Sequence, residues 1–141
     1  MYQLKTQHHF DSAHFLHGYQ GKCENLHGHR WKVIVYLSQD ELQTEGDERD
    51  MVIDFSKFKS AVRELVDSFD HTFIIEDGSL APETIAALEA ESFTLKIVPF
   101  RTTAENFAKH FFDELTAQGF AISRVECYET PNNCAIYEGD A

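Results

Sequence analysis

Residues 30–38 alternate so that Trp31, Val33, Val35 and Leu37 share one side of an extended strand, while Arg30, Lys32, Ile34 and Tyr36 take the other. A strand with one apolar side needs a layer to cover it, and two segments of helical period supply that layer. The first follows Asp54 at an N-cap position, with Phe58, Val62, Leu65, Val66 and Phe69 spaced three and four apart to about residue 70. The second carries Phe107, Ala108, Phe111, Phe112 and Leu115 behind Thr102 and Glu105, an S/T-x-x-E capping box, and Gly119 fits its C′ position. Residues 2–10 can be extended, 51–53 and 94–98 read as short strands, and 122–128 and 135–137 read as two strands around the turn Pro131-Asn132-Asn133. Pro82 at an N1-like position before Glu83 predicts a short helix in the acidic insert 80–91. The order describes an α+β fold with a four-stranded antiparallel sheet and two main helices on one face. With no repeat or Pro/Gly/Ser linker, residues 1–141 are expected to form a single domain. The sheet edges must be covered, and pairing with other subunits is one solution.

Twelve Lys and Arg against 24 Asp and Glu give a formal net charge of −12, which excludes a nucleic-acid backbone or an anionic membrane as the main partner. The charge is uneven. Residues 1–36 hold Lys5, Lys22, Arg30 and Lys32 against Asp11 and Glu24, a net +2 that leaves −14 for the rest. Six of the eight histidines, His8, His9, His14, His17, His27 and His29, lie in that segment. This predicts a cationic pocket inside an acidic shell, with Lys22, Arg30, Lys32 and Arg101 around the histidines. Cys23, Cys127 and Cys134, odd in number and irregularly spaced, read as reduced thiols of a cytoplasmic protein. The N-terminus shows no basic segment followed by an apolar stretch, and no run approaches the roughly 18 apolar residues of a membrane span.

The strongest chemical signal is Cys23-Glu24-Asn25-Leu26-His27-Gly28-His29. In an extended segment His27 and His29 project from one side, and Gly28 leaves room for a ligand or metal at the backbone. His14 supplies a third imidazole if its strand pairs with this one, with His8, His9 and His17 as competitors. Three neutral imidazoles around a divalent cation with a fourth position open describe a catalytic zinc site. Cys23 is either a base or nucleophile, favoured as thiolate by Lys22 and a nearby cation, or a ligand that closes the site. Asp70-His71 is either a helix-capping imidazole or a carboxylate–imidazole pair that moves a proton. The Glu129 carboxylate can accept two parallel hydrogen bonds from an N–H/NH2 ring edge.

The ordered set Phe-Asp-Ser-Ala-His, Lys-Cys-x-x-x-His-Gly-His, Met-Val-Ile-Asp-Phe, Phe-Asp-His, Thr-Thr-Ala-Glu-Asn and Glu-Thr, from Phe10 to Tyr137, resembles the 6-pyruvoyltetrahydropterin and 6-carboxytetrahydropterin synthase superfamily on the tunnelling fold. The resemblance implies that His14, His27 and His29 bind Zn2+, that Cys23 is the catalytic thiol and that Asp70 and His71 complete the proton-transfer set. It further implies that Glu129 anchors the pterin ring and that Thr102, Thr103 and Glu105 line the pterin pocket, commonly from a neighbouring subunit. Subunits would join into trimeric barrels stacked as a homohexamer. Both family activities act on 7,8-dihydroneopterin triphosphate. One eliminates triphosphate to give 6-pyruvoyltetrahydropterin. The other, a carbon–carbon lyase, also releases acetaldehyde and gives 6-carboxy-5,6,7,8-tetrahydropterin for queuosine and other deazapurines. Three residues between Cys23 and His27, and the Met51–Phe55 segment, resemble the bacterial carboxy type. Phe100-Arg101-Thr102-Thr103 departs from the Asn-Pro-Thr of many bacterial relatives, and the 80–91 insert is enlarged. A zinc-stabilised pterin-binding module without catalysis is the alternative from another class.

Overall fold

The computed structural model describes residues 1–139. Two 13-residue strands, β1 (Tyr2–His14) and β2 (His27–Gln39), form an antiparallel ribbon in register from Tyr2 opposite Gln39 to His14 opposite His27. Helix α1 (Phe55–Asp67), strand β3 (Thr72–Glu76), helix α2 (Pro82–Ala90), strand β4 (Leu95–Val98), helix α3 (Ala104–Ala117) and strands β5 (Ile122–Thr130) and β6 (Asn133–Glu138) follow. The sheet order is β4-β3-β1-β2-β5-β6.

The sheet is therefore mixed and six-stranded, which corrects the expected four antiparallel strands. β3 runs parallel to β1, and β4 parallel to β3. Parallel neighbours need a crossover, which α2 provides between β3 and β4. The residues of β3, Thr-Phe-Ile-Ile-Glu, form a short apolar run without alternation, a pattern that periodicity alone does not assign to a strand. The strand expected at 51–53 is absent. Val52 and Ile53 instead pack on the core from a loop, where the Met51 carbonyl accepts from the Gln43 backbone N–H and the Val52 carbonyl from the Gln43 side chain.

The core lies between one sheet face and helices α1 and α3. Its centre is a stack of Phe10 on Trp31, with ring centroids 5.6 Å apart and planes within 3°, edged by Phe107, and Phe69 and Phe111 edge Phe10. Asp54 caps α1 as expected, its carboxylate accepting from the Ser56 N–H at 2.8 Å. At α3 the cap is one residue later than expected: Thr103, and not Thr102, accepts from the Asn106 N–H. Gly119, with φ of 99°, follows α3 in the left-handed conformation expected of a C′ residue. Pro82 opens α2, none of whose residues is buried. No helix among the described residues is long and apolar enough to cross a membrane.

Candidate metal centre

The odd-numbered core stripe of β2 does not stop at Trp31. It continues through His29 to His27, and on β1 the stripe of Phe10 continues through Ser12 to His14. Cross-strand pairing thus places Ser12 against His29 and His14 against His27. The three imidazoles lie 4.6, 4.9 and 5.3 Å apart by ring centroid, with the Trp31 ring 5.1 Å from His14 and 5.4 Å from His29 as their floor. Gly28 lets β1 come close rather than a ligand, since a Cβ there would sit 3.2 Å from the Ser12 carbonyl oxygen.

Each outer hydrogen bond sets a tautomer. His14 Nδ1 donates to the Thr102 carbonyl at 2.9 Å, with the Thr102 hydroxyl 3.0 Å away and itself donating to the Phe15 carbonyl. His27 Nδ1 donates to the Asn25 carbonyl at 2.6 Å. Both rings therefore direct an Nε2 lone pair inward. The Nε2 atoms of His14, His27 and His29 are all buried without an aligned hydrogen-bond partner. Burial pushes the His14 pKa down to about 4, with the neighbouring His27 and His29 adding to the effect. His29 is likewise lowered by burial, against the opposing pull of Glu129. Three converging imidazole nitrogens without aligned hydrogen-bond partners are a donor set that a borderline-soft divalent cation prefers.

Glu129 completes the group. Its carboxylate and the three imidazoles offer ligand atoms within 4.8 Å of one another, an arrangement that could hold a metal ion. Sequence reasoning placed Glu129 at a ring and missed its position beside the histidines. The usable signal was strand parity, because Glu129 follows Tyr128, which pairs with Lys32, and so comes alongside Trp31 at the histidine end of β2.

Cys23 sits in a single 3-10 turn, Lys22–Glu24, tied down by the Leu16 N–H donating to the Cys23 carbonyl at 2.8 Å. Its sulfur is outside the four-donor group, so the geometry does not make it a ligand. Asp70 and His71 lie beyond the end of α1. Asp70 accepts from the Asp11 N–H at 2.8 Å and contacts His71 Nδ1 at 2.8 Å, while the His71 N–H donates to the Asp11 carbonyl at 2.7 Å. The Asp11 N–H, and after it His71, hold the Asp70 carboxyl below its ordinary range, and the Asp70 hydrogen bond raises His71. His71 is 79% exposed, has a left-handed φ of 55° and borders an apolar cavity of about 300 Å³ with Leu26, Phe73 and Phe93.

Thr102 is wholly buried behind His14, whereas Thr103 is partly exposed and Glu105 is exposed on the first turn of α3. The expected cationic pocket is corrected, because the strand pleat keeps Arg30 and Lys32 out of it. Arg30 and Lys32 alternate with the histidine stripe and so face the other side of the sheet, Arg30 paired with Asp11 at 3.0 Å and Lys32 lying 4.3 Å from the Tyr128 ring centroid. Arg101, next to Thr102, reaches the loop after β1 and donates to the His17 carbonyl at 3.2 Å. Cys23, Cys127 and Cys134 are free thiols.

Fold and site together define a class: a small α+β protein whose long β-ribbon ends in a three-imidazole cradle beside a carboxylate. Residues 3–140 match the family described as 6-pyruvoyl tetrahydropterin synthase, and the chain belongs to that family. It is 40% identical over 142 aligned residues to the 6-carboxy-5,6,7,8-tetrahydropterin synthase of Haemophilus influenzae, covering 98% of this chain and 99% of that one. An uncharacterised protein from Wolinella succinogenes superposes with a TM-score of 0.80 at 25% identity, covering 99% and 98% of the two chains. The 6-pyruvoyltetrahydropterin synthase of Plasmodium vivax superposes at 0.71 with 19% identity and the same coverage, a likeness of fold. Curated relatives with a synthase name span most of the chain, which is an enzyme of this family.

Proposed function

We propose that the enzyme converts 7,8-dihydroneopterin triphosphate to 6-carboxy-5,6,7,8-tetrahydropterin with release of acetaldehyde and triphosphate, in the route to queuosine and other deazapurines. The observation that carries this reading is the convergence of three buried Nε2 atoms without aligned partners at the end of the core. The Haemophilus relative's name supports the choice of product. Zn2+ held by His14, His27 and His29 would supply Lewis acidity, making the C–H beside the substrate's side-chain oxygens more acidic.

The rest of the chemistry falls to the chain. Cys23 as thiolate removes that proton, and His71, held by Asp70, returns one elsewhere as general acid, permitting triphosphate loss and then carbon–carbon cleavage. The carboxylate of Glu129 accepts two parallel hydrogen bonds from the pterin N–H/NH2 edge and so fixes which carbons meet these groups. Thr102 acts through His14, whose tautomer it sets, while Thr103 and Glu105 line the pocket at the start of α3. We assign the protein to the cytoplasm as a homohexamer of stacked trimers. The edge strands β4 and β6, with Ile97 and Ile136 about half exposed, support that assembly.

Incubating purified protein with 7,8-dihydroneopterin triphosphate and assaying acetaldehyde tests the reading. Acetaldehyde in step with triphosphate is expected. Triphosphate without acetaldehyde would give the pyruvoyl product and overturn it.

A further inference from the structure

Glu129 has a contact that a ring anchor does not need. Its Oε1 lies 2.8 Å from His29 Nε2, yet that nitrogen has no aligned hydrogen-bond partner. The two atoms are in contact without the alignment of a strong hydrogen bond, an arrangement that suits two lone-pair donors sharing a third point. Among the described residues no Lys or Arg stands within ion-pair distance of the carboxylate, which faces three imidazoles in place of a cation. Three imidazole nitrogens and one carboxylate oxygen are a complete four-donor set for tetrahedral zinc. Glu129 is also more open to solvent than His29 or His14. It is 26% exposed, against 17% for His29 and buried His14, and lies just before the Pro131-Asn132 turn.

We infer that Glu129 is the fourth metal ligand of the resting enzyme and gives up that position when the pterin ring binds. The inference rests on the proposed role of Glu129 as ring anchor. A carboxylate that turns both oxygens to the ring edge for two parallel hydrogen bonds turns them from the imidazoles, so ring and ion compete for the same group. Ring binding would then clear the coordination position that the substrate's side-chain oxygens require.

The test uses Co2+-loaded full-length protein, its visible d–d spectrum and competition with a chromophoric chelator. Loss of groups that merely orient ligands costs about 10- to 100-fold in metal affinity, so Glu129→Gln is expected to weaken Co2+ and Zn2+ by at least about tenfold and to alter the spectrum. Glu129→Asp keeps the charge but shortens the reach. It is expected to change the spectrum too, and it serves as the variant should Glu129→Gln fail to fold by circular dichroism. A pterin lacking the side chain should shift the wild-type spectrum toward that of Glu129→Gln. Unchanged affinity and spectrum in both variants would overturn the inference, as would a pterin that binds wild type and leaves its spectrum unmoved. Failure of that pterin to bind would remove the ring-anchor role and with it the exchange, whereas affinity lost in the variants would still establish the resting ligand.

Discussion

Phe10 opposite Trp31 and His14 opposite His27 belong to the same ladder, on the same face, four residues apart on each strand. The first pair stacks and is fully buried at the centre of the core. His14 is just as enclosed, at 1% exposure, yet this end finishes in three ring nitrogens without aligned partners. Depth does not separate His14 from the apolar pair, although His27 and His29 are part-exposed; polar satisfaction does. Taking an acceptor out of water unpaired costs about 1–3 kcal/mol, so the apolar half stabilises the fold as it stands while the imidazole half is offset only by something that binds it.

Four changes bear on this contrast. The largest effect belongs to the imidazole half: Cys23→Ala is expected to lower turnover about a hundred- to ten-thousandfold with zinc content and melting temperature unchanged. Loss of zinc in that variant would make the thiol a ligand and break the assignment. In the apolar half the reverse holds. Trp31→Ala should cost about 3–5 kcal/mol in urea unfolding, because it removes both the stack on Phe10 and the floor under His14 and His29. A cost below about 1 kcal/mol would mean that the two halves are not packed as one core.

Acid sharpens the comparison further. In the metal-free protein His14 holds a proton only below a pKa of about 4, whereas the unfolded chain holds it below the ordinary 6.5. Between those values the unfolded state binds more protons, so stability falls as pH drops from 6.5 towards 4, by up to about 3 kcal/mol from this residue. Denaturation of chelator-treated wild type and His14→Gln across that range isolates the effect, and parallel pH profiles would contradict it. The smallest change is Thr103→Ala, expected to cost about 1 kcal/mol through the lost cap of α3. Zinc affinity should stay as in wild type. A large fall in affinity would show that the start of α3 supports the imidazole half more directly than its hydrogen bonds indicate.

Much of this could be read in the sequence. Strand alternation put His27 and His29 on one side, and β1 needed only to pair with β2 for His14 to join them. Alternation also placed Arg30 and Lys32 opposite Trp31, so the expectation of a shared cationic pocket came from nearness along the chain and ignored the pleat. Two adjacent threonines both satisfy a cap pattern. The choice between them was tertiary, because Thr102 is committed to His14, 88 residues away. β4 was legible as a short strand at 94–98, whereas β3 lacked a period to read and the parallel pairing of the two had no local signal. The position of Glu129 follows from parity once β5 is paired with β2, and that pairing joins residues about 95 apart that no local pattern connects.

The register of the ribbon also orders events in time. His14 and His27 form the pair nearest the connection between the strands, so only residues 15–26 must close for them to meet. Loop-closure entropy makes such a contact early among non-local ones, whereas Thr102 and Glu129 arrive from elements about 90 to 100 residues further on. Loop-closure entropy thus favours assembly of the cradle from the most local pair outward, with the carboxylate the last donor expected to take its place.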